Sequence, residues 1–230
     1  MIIWIRIGTR ESYNKDGRDF QLKLRLEEIS HQPCLILHQD QMTPTVIGKL
    51  NPQAILLSGC GRFFQHFQPE FFYGFEDTLK ALVDIPTLAL CASHQLLGFM
   101  FNSGFRNLKK LEDEMMRPLR FGEPDVLDPN PDAKGYFCEE GFYPVTILQQ
   151  DPLFNNLPNQ IFVRQSHYAE IKVLPADFEL LASSENCKIQ AIKHKDRPLY
   201  GTQFHPEYYV NIYPDGRKIL DNFFRLAGIL

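Results

Sequence analysis

Short apolar runs and polar, periodic stretches alternate along the first hundred residues. IIWIRI (residues 2–7), CLILH (34–38), AILLS (54–58) and TLALC (87–91) are too short for buried helices and read as strands. Between and after them lie stretches that carry apolar residues at helical spacing, the first of them without Gly or Pro. Residues 20–30 form one, with Leu22, Leu24, Leu26 and Ile29 as its apolar candidates; residues 75–84 and 93–101 form two more. From residue 54 to 101 the order is strand, helix, strand, helix, which implies a parallel sheet covered on both faces. The last third returns to strand-like text: residues 143–148, 160–167, 178–184, 188–194 and 199–204, several separated by turn signals such as LPNQ and HKDRP. A final amphipathic helix over 216–230, with Ile219, Leu220, Phe223, Phe224 and Leu226 as apolar candidates, closes the chain. The expected fold is α/β, a mixed, largely parallel central sheet flanked by helices, in one domain spanning 1–230. Residues 105–143 break the pattern. They are charged, then rich in Pro, Gly and Asp, and read as a surface excursion with little core.

Charge and composition narrow the function. A chain of 230 residues buries a sizeable core. The formal net charge of −4 leaves no basic footprint for nucleic acid. No apolar run reaches a membrane span, and the N-terminus reads as a strand rather than a secretion signal. The five cysteines, Cys34, Cys60, Cys91, Cys138 and Cys187, are widely spaced and odd in number. Reduced thiols in a cytoplasmic protein are the expectation.

The chemistry concentrates at Cys91. A lone cysteine is ordinarily a small core hydrophobe. This one ends a strand and is followed at once by a helix, the arrangement of a nucleophile elbow, with small residues Ala89 and Ser93 on either side. The helix N-terminus favours a thiolate, and the Ala92 N–H is a candidate oxyanion donor. A cysteine nucleophile needs an oriented base. His205 follows a strand, and Glu207 lies two residues on, past Pro206, where it can hold the imidazole tautomer. The turn after residue 58 supplies a third piece: Gly59 and Cys60 sit at a strand carboxyl end, where ligands collect, and a backbone N–H there, from Cys60 or Gly59, is a second oxyanion candidate. Cys91 and His94 lack a second ligand pair for zinc, so no metal and no cofactor are expected.

Three stretches together resemble the class I (triad) glutamine amidotransferase family, whose motifs run S-G-G-P, G-I-C-x-G-H-Q and G-x-Q-F-H-P-E. Here they read SGCG at 58–61, ALCASHQ at 89–95 and GTQFHPE at 201–207. The resemblance implies a flavodoxin-like fold, Cys91 as nucleophile, His205 as base and Glu207 as its orienter. It places Gln95 near the amino-acid end of the substrate, and Ser166 and His167 in a segment whose backbone holds that end. The implied reaction is hydrolysis of the side-chain amide of L-glutamine through a cysteine thioester, with ammonia passed to a separate synthetase subunit. Two alternatives accompany it: hydrolysis of larger γ-glutamyl amides, and a non-catalytic subunit that binds a partner. Four of the chain's departures from the family motifs fall on the oxyanion turn and the elbow glycines. Cys60 and Gly61 replace the second glycine and the proline of the first motif, and Ala89 and Ser93 replace both elbow glycines. Where φ is positive, such a Cβ costs about 1 kcal/mol, so lowered efficiency with intact chemistry is expected.

Overall fold

The computed structural model describes residues 1–15, 17–127 and 130–230. Among the described residues nine strands form one sheet. Strands β1 (Ile2–Arg6), β2 (Cys34–His38), β3 (Ala54–Leu57), β4 (Thr87–Leu90) and β9 (Leu199–Thr202) lie parallel in the order β2-β1-β3-β4-β9. Beyond β9 the sheet continues antiparallel through β8 (Ala191–His194), β7 (Phe178–Ser183), β5 (Glu139–Ile147) and β6 (Gln160–His167). The sheet is therefore mixed, as expected: a parallel block with an antiparallel wing.

Six α-helices accompany it among the described residues: α1 (Arg10–Lys15), α2 (Arg18–Ser30), α3 (Pro44–Leu50), α4 (Tyr73–Ala81), α5 (Ala92–Asn102) and α6 (Asp215–Leu226). The parallel strands are apolar on both faces because both faces are covered. In β1, Ile3 and Ile5 pack with Phe75 and Leu79 of α4 and Leu96, Leu97 and Met100 of α5. Ile2 and Trp4 point the other way, to Leu22, Leu26 and Ile29 of α2 and Phe223 and Phe224 of α6. Truncating one of these fully buried phenylalanines to alanine costs about 3–5 kcal/mol. Leu24, counted among the apolar face of its helix in the sequence, is exposed, because the buried stripe of α2 follows Leu22, Leu26 and Ile29. No helix among the described residues is long and apolar enough to cross a membrane.

The expectation for residues 105–143 needs correction. Phe105, Leu111, Met116 and Ala133 are buried, and residues 139–143 belong to β5, paired with β6. Residues 111–116 form a strap: Met115 bridges Ala169, the Met116 N–H donates to Tyr168 O at 2.8 Å, and the Glu170 N–H donates to Glu114 O at 2.9 Å. Leu111 and Met116 are buried in this strap, whereas Glu112 and Glu114 are exposed. Residues 128 and 129 of this segment lie outside the described residues. The two short helices α1 and α3 escaped the sequence pattern because each buries at most one side chain.

Candidate active site

Cys91 stands at the carboxyl end of β4, where the ladder to β9 makes its last bond, Cys91 N–H to Thr202 O at 2.7 Å. Its carbonyl accepts the Gln95 N–H at 3.1 Å, which starts α5. Between these two constraints the backbone takes φ 50° and ψ −107°. That region costs of order 1–3 kcal/mol and persists only where the surroundings enforce it. The elbow expected from sequence is present. Neither Ala89 nor Ser93 nor Cys60 has a positive φ, so the strain expected from replacing family glycines does not arise. Ser93 instead contributes: its hydroxyl donates to Ser58 O at 2.5 Å and ties the helix start to the turn after β3.

That turn passes very close to the site. A Cβ on Gly59 would lie 2.9 Å from His205 Cε1 and 3.4 Å from Cys91 Cβ, so only glycine lets the turn approach both side chains. Cys60 follows, with its thiol turned to Arg62 O at 3.7 Å.

His205 comes in from the residues after β9, its N–H bonded to Arg164 O of β6 at 2.8 Å. Its Nδ1–H donates to Glu207 Oε1 at 2.7 Å. Burial alone would depress its proton affinity. The facing charges of Glu207 and Cys91, with hydrogen bonds to both, outweigh burial and hold the imidazole well above 6.5. The backbone of Glu207 is anchored from α2, where Arg25 Nη1 donates to Glu207 O at 2.6 Å. Its second carboxylate oxygen is buried and has no hydrogen-bond partner among the described residues, which leaves its charge directed at the imidazole.

Two openings meet at Cys91. The larger, about 420 Å³, is lined by Gly59, Cys60, Cys91, Ser166, His205 and Glu207, and also by Arg6, Arg18 and Arg164. The smaller is a slot of about 20 Å³, room for one water-sized group. Its walls include Cys60, Arg62, Cys91, Ala92, Gln95, Asp113, Ser166, His167 and Tyr168. Every residue nominated from sequence therefore lines one opening or both, although several present backbone rather than side chain. The Ser166 hydroxyl donates to Glu140 Oε2 at 2.7 Å, and Ser166 O faces the Cys91 thiol at 3.7 Å. The His167 ring is buried between Ala169 O and Glu139 Oε2, each at 3.0 Å. Gln95 donates to Ala169 O at 2.7 Å and to Gln203 Oε1 at 3.1 Å, leaving its carbonyl oxygen for a ligand. The Ala92 N–H, first in α5, has no intrahelical acceptor.

His94 is excluded from this group. It is fully buried, donates from Nε2 to Ile189 O at 3.1 Å, and is held neutral by burial, with its pKa lowered to about 3. It fastens α5 to the sheet. A Cβ on Gly201 would sit 2.6 Å from its ring.

Sequence reasoning missed Asp113 and Gln203. Asp113 lies in the charged run of the strap, which gave no sign that its carboxylate turns inward. It accepts the Phe64 N–H at 2.5 Å, and burial raises its pKa to about 6. Gln203 stood in the most family-like motif, two residues before His205, and that spacing puts both side chains on one side of an extended chain.

Comparison with known proteins gives a concordant picture. The family model "Glutamine amidotransferase class-I" matches residues 20–227. The glutamine-hydrolysing GMP synthase subunit of Pyrococcus abyssi is 30% identical over 193 residues, covering 80% of each chain. A crystal structure of a protein proposed to be a GMP synthase subunit, from Thermoplasma acidophilum, superposes with a TM-score of 0.68 at 23% identity, covering 99% of this chain and 95% of that one. The Trypanosoma brucei CTPS glutaminase domain with bound acivicin superposes at 0.63 with 14% identity, covering 99% and 94%.

Proposed function

The chain belongs to the class I glutamine amidotransferase family, and from that premise we propose that Cys91, His205 and Glu207 form the triad through which it hydrolyses the side-chain amide of glutamine. The observation that carries the assignment is the 2.7 Å bond from His205 Nδ1–H to Glu207, made by a ring that also faces Cys91 at its strained elbow.

The steps follow from the geometry. Glu207 fixes the tautomer and supports the positive ring, so His205 can hold the proton of Cys91. The sulfur attacks the amide carbon, and a C–S bond forms as the carbonyl electrons move to oxygen. The Ala92 N–H at the helix start and the Cys60 N–H at the turn receive that oxyanion. Collapse breaks the C–N bond, and His205 gives its proton to the departing ammonia. A γ-glutamyl thioester remains. Water, deprotonated by His205, attacks it; collapse returns the electron pair to sulfur and frees glutamate.

The amino-acid end of glutamine enters the slot. Asp113 and the Gln95 carbonyl oxygen receive the ammonium, and Arg62 receives the carboxylate. Arg62 is an exposed wall residue of the slot. The name of the Pyrococcus relative specifies glutamine hydrolysis by one subunit of a synthase, which favours glutamine over larger γ-glutamyl amides and favours transfer of ammonia to a separate synthetase subunit. The complete triad geometry speaks against a non-catalytic partner-binding role.

Release of ammonia and glutamate from L-glutamine, measured for the wild type beside Cys91→Ala, tests the proposal. Release by the wild type alone, at equal folding, is the expected result. Release by both proteins would remove Cys91 from the mechanism.

A further inference from the structure

We infer that Gln203 is a catalytic residue of this site, its side-chain amide N–H donating to Cys91 Sγ and stabilising the charge on the sulfur before attack and again when the thioester breaks. The inference rests on the proposed role of Cys91 as nucleophile.

Four observations support it. Gln203 is fully buried, and its Nε2 lies 3.7 Å from Cys91 Sγ, within hydrogen-bond range for a sulfur acceptor. The fold fixes that neighbourhood: β4 and β9 run parallel with Leu90 beside Thr202, so the next pair along is Cys91 beside Gln203. The orientation of the amide is also determined. Ala169 O can only accept, so the group of Gln95 that faces it at 2.7 Å is the NH₂. The same nitrogen lies 3.1 Å from Gln203, so the atom of Gln203 facing it is the acceptor Oε1. The NH₂ of Gln203 is thereby turned to the sulfur. Ala169 O is itself held by His167 Nδ1–H at 3.0 Å, and His167 by Glu139. A chain of buried hydrogen bonds thus runs from Glu139 to the sulfur, ending in a donor that cannot be reversed without breaking the chain.

The other group near the sulfur acts on the opposite form. Ser166 O, at 3.7 Å, accepts from the thiol and offers nothing to a thiolate. The Gln203 amide and the His205 imidazolium favour the thiolate, so loss of the proton to His205 exchanges one partner for the other. In this scheme Gln95 is a positioning residue for Gln203, apart from any contact it makes with substrate.

Alkylation of Cys91 by iodoacetamide, followed by peptide mass spectrometry as a function of pH, reads the sulfur without glutamine, so it is independent of whether glutamine is hydrolysed. In Gln203→Met the pH midpoint of Cys91 alkylation is expected to rise by about 1, and kcat/KM for glutamine to fall roughly tenfold through kcat, the size of a modest charge-assisted hydrogen bond. Gln95→Met, which frees the amide to turn, gives a smaller rise in the same direction. The isosteric Gln203→Glu, which sets a carboxylate against the sulfur, gives a larger one and serves where the methionine variant does not fold. A midpoint equal to that of the wild type in either Gln203 variant, with native circular dichroism, overturns the inference.

Discussion

Two buried histidine–glutamate pairs lie close together in this molecule, and their difference is instructive. His205 and Glu207 meet at 2.7 Å beyond the end of β9; His167 and Glu139 meet at 3.0 Å, the one ending β6 and the other opening β5. Both rings are almost fully buried, and both carboxylates are too. In the second pair the remaining ring nitrogen is occupied by Ala169 O, and Glu139 also takes the amides of Asn186 and Gln190, each at 3.4 Å. In the first pair the ring faces Cys91 and a cavity. A carboxylate on one nitrogen of a histidine is therefore a poor guide to chemistry. The environment of the other nitrogen separates the proposed proton carrier from a brace.

The sharpest break in this comparison comes from replacing each histidine. His205→Asn is expected to lower kcat for glutamine hydrolysis by roughly 10³-fold or more, the scale on which a positioned acid–base group acts. His167→Asn leaves kcat within about tenfold but lowers stability by about 1–3 kcal/mol, because Glu139 keeps its burial and loses a partner. Steady-state kinetics and thermal unfolding on both variants check this. Equal losses of kcat would erase the distinction.

Glu207→Gln comes next, with kcat reduced roughly 10²-fold. It also carries a sign. The folded-state pKa of His205 is raised above 6.5, so the pair contributes stability that is fully present below that pH and is lost as pH rises through the folded value. The gap in Tm between the wild type and Glu207→Gln should be widest in mild acid and narrow as the buffer becomes alkaline. A gap that widens with pH would contradict the ion pair.

Asp113→Asn is expected to have the smallest effect on turnover. KM for glutamine rises roughly tenfold with kcat nearly unchanged, as for loss of one charged contact to bound substrate. Here the stability sign favours the variant. The pKa of Asp113 is raised to about 6, so ionisation above that pH costs the folded wild type stability that asparagine does not lose. Asp113→Asn should gain in Tm relative to the wild type more at pH ~8 than at pH ~4. An unchanged KM would remove Asp113 from substrate binding.

The contrast between the pairs also explains what could be read from the chain. His205 and Glu207 are separated by one proline, so the sequence itself displays the pair. Glu139 and His167 are 28 residues apart and meet only because β5 pairs antiparallel with β6. The parallel strands were legible because burial on both faces leaves them as uninterrupted apolar runs. The antiparallel β6 was legible through its alternation, with Ile161, Val163, Gln165 and His167 buried and Gln160, Phe162 and Ser166 exposed. Asp113 was hidden in a charged run that resembles any solvated surface, and its inward turn depends on the strap crossing residues 168–170. Gln203 was visible as a letter in a motif, but its contact with Cys91 required the register of β4 against β9.

Single-turnover formation of the γ-glutamyl thioester tests the difference between the two pairs most directly. Rapid quenching of the wild type, Glu207→Gln and Glu139→Gln with isotopically labelled L-glutamine gives the rate at which label joins Cys91. Slowing of roughly 10²-fold in Glu207→Gln and of less than about tenfold in Glu139→Gln is the expected result. Equal slowing in both variants, or label on a residue other than Cys91, would contradict the division into a proton carrier and a brace.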